Sequence, residues 1–202
     1  MSYLSDREKI RDILCLYTHA IDRRRWDMMP AFFHDDAVFL FGEVEGDWRG
    51  FVEQAKTIID PMPATHHQIG NILFHFEDNV ALTETYCTAT HVIPADYPKD
   101  LPFPHTGKRY VSTVGLRYID RFEKREGDWK IVNRNGVYDW RNDGEFNDGG
   151  ILDSGTDILG KHDDSDPSTS ITADFKRILE IEPDNADALN YLGYTRSDGT
   201  QL

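Results

Sequence analysis

His66 and His67 stand side by side in the stretch ATHHQIGNILFHFEDN, residues 64–79. An imidazole exchanges a proton near neutral pH and also ligates metals, so the pair admits three readings: metal ligands, ordinary strand residues, or a base facing a pocket. Neighbouring side chains on a strand point to opposite faces, whereas a metal needs two or three ligands converging on one point. The two histidines therefore diverge. At most one of them faces a pocket, and the other sits at its rim or outside. The runs His34-Asp35-Asp36 and His162-Asp163-Asp164 read as solvated turns, so no metal site is expected. The chain has no Gly-rich phosphate loop and no GxSxG elbow, and neither Cys15 nor Cys87 stands in a recognised nucleophile context.

Composition narrows the field. The 202 residues suffice for one domain with a substantial core plus an appendage. No apolar run approaches the roughly 18 residues that span a bilayer. The start, MSYLSDREKIRD, lacks the pattern of a signal peptide, and two cysteines suit a reducing compartment, so a cytoplasmic protein is expected. A formal charge of -14, with no basic stripe, argues against nucleic acid and anionic membranes as partners. The acid is uneven. Residues 1–138 carry 21 acidic against 17 basic side chains, net -4, while 139–202 carry 15 against 5, net -10. Residues 141–170 turn to Gly, Asp and Ser, which is loop material, and the boundary is drawn near 168–170.

The elements that must position the histidines follow from periodicity. Ser5 as N-cap, Glu8 three residues on, and Ile10, Ile13, Leu14, Tyr17 and Ile21 at helical spacing predict a helix over about 6–23. WDMMPAFFHDD suggests a second, short helix, AVFLFGEV a strand and GFVEQAKTIID a third helix. From residue 66 the pattern becomes long strands, with turns at Glu77-Asp78-Asn79 and Glu126-Gly127-Asp128 and a Pro-rich loop over 94–106. Helices first and antiparallel hairpins after predict an α+β fold in which a curved sheet wraps the helices.

The segments YTHAIDRRRWD, THHQIGN, YIDRFEKREGDWKIVNRNGVYDW and GKHDDSDPS, taken in this order, resemble the SnoaL-like branch of the nuclear transport factor 2-like superfamily. That branch includes relatives of scytalone dehydratase, bile-acid dehydratase and hexachlorocyclohexane dehydrochlorinase. The resemblance covers residues 5–168 and implies a cone-shaped α+β barrel. It also implies a site. In the dehydrochlorinase-like pattern a histidine stands four residues before an asparagine and an aspartate closes the first helix, positions held here by His67, Asn71 and Asp22. His67 would then act as base, with Asp22 fixing its tautomer and stabilising the imidazolium. From residue types alone a second account stands beside this one: His67 satisfies a buried backbone group, and Asp22 caps the helix or pairs with Arg23 to Arg25.

Tyr17 matches a position where the bile-acid group also has tyrosine, and a phenol there would hydrogen-bond a leaving group; it also continues the apolar stripe of helix 1. Tyr138 matches a position that faces the cavity in the group. Arg134 shares its strand face and would neutralise an enolate or carboxylate, with an exterior salt bridge as its plainer role. Asn71, Tyr86 and Trp26 complete the expected substrate-binding set, within an aromatic surface suited to an aromatic or alicyclic substrate. The extra carboxylate of the bile-acid enzymes is missing: its strand reads Thr88 to Thr90, with His91 nearby as a substitute or as a surface residue. The loop Pro94 to Lys108 is expected to form a lid.

These expectations converge on a cofactor-independent lyase for a small hydrophobic substrate. An isomerase or cyclase of the ketosteroid-isomerase type would use the same dyad, and the fold also hosts non-catalytic binding modules and accessory subunits. A homodimer or higher homo-oligomer is expected, joined through the outer sheet face by Val111, Val114, Leu116, Ile131 or Val137. ADFKRILEIEPDNADALNYLGYTRSDG resembles part of a tetratricopeptide repeat; residues 169–202 then form a helical extension that packs on its own domain or on a sister subunit, or docks another protein.

Overall fold

The computed structural model describes residues 3–41, 44–153, 159–163 and 165–166, and it divides into two units, 1–148 and 149–202. Helix α1, Tyr3–Asp22, opens the first. Its Ile10, Leu14, Tyr17 and Ile21 recur every three or four residues and are all buried, each such side chain contributing about 1.5–3 kcal/mol. Ser5 lies inside this helix rather than capping it. The helix ends in a Schellman arrangement: the Arg24 N–H bonds the Ile21 carbonyl and the Arg25 N–H bonds that of Ala20. The left-handed position, φ +56°, is held by Arg24 where glycine is usual, a conformation costing roughly 1–2 kcal/mol.

A short 3₁₀ helix, Trp26–Ala31, follows, and here the expected second helix stops early. Phe33 to Asp36 belong instead to strand β1, Phe33–Phe41. Then come β2, Val44–Asp47, helix α2, Trp48–Ile59, and the long strands β3, Ala64–Glu77, β4, Val80–Ile93, β5, Tyr110–Arg125, and β6, Asp128–Glu145. Asp47 caps α2 through the Gly50 N–H at 2.7 Å. The six strands form one curved sheet in the order β2-β1-β6-β5-β4-β3, antiparallel except where β1 runs parallel to β6. The fold is α+β and cone-like, with the sheet left open rather than closed into a barrel.

Alternation decides what faces the helices. On β4, Ala81, Thr83, Thr85, Cys87, Ala89 and His91 are buried; on β5, Val114, Leu116, Tyr118, Asp120 and Phe122 are. Val114, Leu116 and Ile131 are thus core residues, and the outer-face role expected of them is corrected. Register irregularities change the parity. On β3 the register shifts between Ile69 and Ile72, so that Thr65 and His67 face inward before it and Ile72, Phe74 and Phe76 after it. β5 and β6 shift twice, between Gly115 and Leu116, leaving Asp139 as the extra residue, and between Arg121 and Phe122, leaving Val132.

In the second unit, Ile151–Asp153 form a single 3₁₀ turn and the Asp166 carboxylate accepts the Lys161 N–H at 2.7 Å. The Asp163 carboxylate accepts from the Ser165 N–H and hydroxyl, the local turn expected there. The helical extension over 169–202 lies outside the described residues.

Candidate active site

Asp22 is the last residue of α1, and the Schellman turn behind it directs the chain away, leaving its carboxylate to face the start of β3. There Oδ1 accepts the Thr65 hydroxyl at 2.8 Å and meets His67 Nδ1 at 2.7 Å, while Oδ2 accepts the His67 backbone N–H at 2.7 Å. Burial disfavours the charged carboxylate, but the His67 ring, its charge, its backbone N–H and the Thr65 hydroxyl outweigh this and bring the pKa down to about 2. Asp22 is therefore ionised at neutral pH. An ionised acceptor at Nδ1 requires a proton there, which leaves the Nε2 lone pair as the basic position of a neutral ring.

His67 lines a cavity of about 620 Å³ whose walls are mostly apolar: Ile21, Phe41, Phe51, Ala89, Val114 and Leu116 among them. Two glycines make room for the aromatic lining. A Cβ at Gly136 would meet the Phe41 ring at 2.1 Å, and one at Gly115 the Trp140 indole at 2.2 Å. The loop between β4 and β5 supplies Pro102 and Phe103 to the cavity. It is pinned by the Tyr97 hydroxyl on the Ile58 carbonyl, 3.0 Å, and the Tyr110 hydroxyl on the Pro104 carbonyl, 2.9 Å. Phe103 itself packs against His91, Tyr97 and the Arg141 guanidinium.

His91 is the second imidazole in the cavity wall, its ring edge-on to that of His67 with centroids 5.4 Å apart. It is 7% exposed, so the surface account of this residue is corrected. Burial, reinforced by the His67 charge, depresses its pKa to about 3 and keeps it neutral. The signal was in the alternation, since position 91 continues the inward series of β4. Ala89 takes the inward place in the segment where the bile-acid pattern has a carboxylate.

Tyr17 lines the same cavity with its phenol pKa raised by burial. Tyr138 also lines it, at the solvent-exposed mouth beside Asp139, Trp140 and Arg141. The other four expected site residues lie elsewhere. Arg134 is fully buried in a paired-hydrogen-bond ion pair with Asp120, both contacts 2.7 Å, sandwiched between the Tyr17 and Tyr118 rings. Neither an exterior salt bridge nor a substrate contact describes it. Asn71 falls in the β3 bulge, which turns it out to solvent. Tyr86 is on the outer face, where the Arg117 guanidinium covers its ring. Trp26 packs at the edge of the core with its Nε1 donating to Asp60 at 3.2 Å. Among the described residues no group of His, Cys, Asp or Glu is arranged to hold a metal. His66, exposed on the opposite face from His67, follows the alternation.

With this geometry in view, comparison with known proteins is specific about the fold. The family model described as SnoaL-like domain matches residues 2–135. Proteins of Mycobacterium tuberculosis and Mycobacterium bovis, described as uncharacterized, are 25% identical over 134 residues, which cover 65% of this chain and 84% of theirs. A type 2 hexachlorocyclohexane dehydrochlorinase superposes with a TM-score of 0.62 at 18% identity, over 74% of this chain and 97% of that one. A putative scytalone dehydratase from Novosphingobium aromaticivorans gives 0.56 at 18% identity, over 72% and 91%.

Proposed function

The chain belongs to the SnoaL-like domain family, and from that premise we propose that it is a cofactor-independent lyase acting on a small hydrophobic substrate with an aromatic or alicyclic ring. One observation carries the reading: an ionised carboxylate holds Nδ1 of a histidine that lines a mostly apolar cavity. The structural neighbours named as a dehydrochlorinase and a dehydratase are, by those names, catalysts of elimination.

In the proposed reaction His67 Nε2 removes a proton from a carbon next to an activating group. The C–H electron pair forms the new double bond, and the bond to the leaving group breaks with its electrons. Asp22 stabilises the imidazolium as it forms, and the burial of both side chains strengthens the attraction. Tyr17, kept protonated by burial, is the donor for the departing oxygen or halide. The proton then passes from Nε2 to solvent or to the leaving group, which restores the base.

The test is a panel of cyclic β-hydroxy and β-halo compounds followed by NMR in deuterated water. Wild type should release water or halide, and His67→Gln and Asp22→Asn should each lower the rate by about 10²–10⁴-fold while binding changes far less. Turnover unchanged in His67→Gln would remove the base from the mechanism. Deuterium incorporation with migration of a double bond and no loss of a leaving group would identify an isomerase using the same proton transfer.

A further inference from the structure

We propose that Thr65 and Arg24 are positioning residues that act on the His67 ring through Asp22, an inference that rests on His67 being the base. The two residues and the dyad form one directed chain of hydrogen bonds. Arg24 Nη1 donates to the Thr65 hydroxyl at 3.1 Å, and that hydroxyl donates to Asp22 Oδ1 at 2.8 Å. A guanidinium has no acceptor and a hydroxyl has one proton, so the direction is fixed: Thr65 must accept from Arg24, and its proton goes to Asp22. Asp22 thus receives three donors, from Thr65 and from the backbone and ring of His67. With both oxygens committed, the carboxylate neither rotates nor takes up the ring proton, and the Nδ1–H tautomer is the one the site accommodates.

Arg24 is built for this place. Its side chain is 6% exposed and also donates to the carbonyls of Ile21, Asp22, Ile59 and Met62, tying the end of α1 to the end of α2 and the start of β3. A glycine would relieve the left-handed backbone at this position and lose all of these contacts. The charged or titratable groups around Asp22 include Arg24, then Asp60 from the end of α2, paired with Arg24 at 3.5 Å, His67 from β3 and, from β4, His91 and Cys87.

The experiment compares Thr65→Val, which keeps the shape and removes the hydroxyl, with Thr65→Ser, which keeps the donor. The readout is the ¹⁵N-labelled histidine ring spectrum, with the His67 signals assigned by their loss in His67→Gln. Wild type should show one tautomer, protonated at Nδ1. Thr65→Val should show a mixture of tautomers and a kcat lower by about tenfold with KM little changed, and Thr65→Ser should restore both. A folded Thr65→Val protein that retains the single tautomer and the wild-type kcat would overturn the proposal. Should Thr65→Val not fold, Thr65→Ala is read by the same two signals and decides in the same way. The ring spectrum also separates the two readings. A disturbed tautomer in Thr65→Val together with full activity in His67→Gln would retain the positioning chain and discard the base.

Discussion

In the core, Asp120 is gripped by Arg134; beside the cavity, Asp22 holds His67. Both carboxylates face inward, and both meet their nitrogen partner at 2.7 Å. They differ in what lies beyond the partner. Arg134 has tyrosine rings on both sides at 4.2 and 4.3 Å and no exposed surface. Burial disfavours its charge, but the Asp120 charge and hydrogen bonds outweigh that and hold its pKa above the ordinary value. His67 borders open space, and a neutral imidazole keeps one nitrogen lone pair to accept a proton where a guanidinium has no acceptor. A sealed pair fixes structure, and a pair with one open side is placed to do chemistry.

The largest effect should come from opening the sealed pair. Arg134→Met leaves the Asp120 charge buried without a partner, and urea denaturation should record a loss of roughly 3–5 kcal/mol. The double variant Asp120→Leu with Arg134→Met should recover most of it. A loss below about 1 kcal/mol in the single variant would mean that water reaches Asp120 and the two regions differ less than described. Next in size is the acid response of the open pair. The Asp22 pKa falls from an ordinary 3.8 to about 2 on folding, so its contribution is complete above about pH 4 and is lost as pH falls through about 2. That contribution is about 2 kcal/mol, and it should vanish from the pH–stability curve of Asp22→Asn. An identical acid limb in the variant would place the titrating group elsewhere. The smallest effect belongs to Tyr17, which touches both regions by lining the cavity and lying over Arg134. Tyr17→Phe keeps the ring and should change stability by no more than about 1 kcal/mol. Any larger fall in kcat would then report the phenol as donor to the leaving group.

What was legible in the sequence was what local periodicity controls. Helix 1, the order of the hairpins and the divergence of His66 from His67 all follow from spacing that one element imposes on itself. The misplaced residues each depend on something remote. Phe33 to Asp36 read as helix because the pattern cannot reveal that β6 will pair with them in parallel. The resemblance puts Asn71 in the site together with His67, but one extra residue in a bulge reverses the face of everything after it. Arg134 reads as a cavity residue or an exterior salt bridge because a lone arginine is normally solvated; its partner lies on the neighbouring strand, and pairing of that kind depends on register. Thr65 and Arg24 gave no chemical signal of their own, since their role exists only where α1, α2 and β3 meet.

The parallel pairing of β1 with β6 also sets an order in time. β3, β4 and β5 each pair with the next strand in sequence, but Val38, already beside Asp47 on β2, finds its second neighbour only at Asn133. Such distant pairings are slow to form because a long loop must close before any contact rewards it. During synthesis α1, β1 and α2 emerge first, with Phe33, Phe39 and Phe41 lacking the strand they will pair with. Tyr138 and Trp140, which complete the cavity wall, come from that same last strand. A nascent chain therefore carries Asp22 and His67 for some time before it has a pocket, and a chain that stalls before β6 never acquires one.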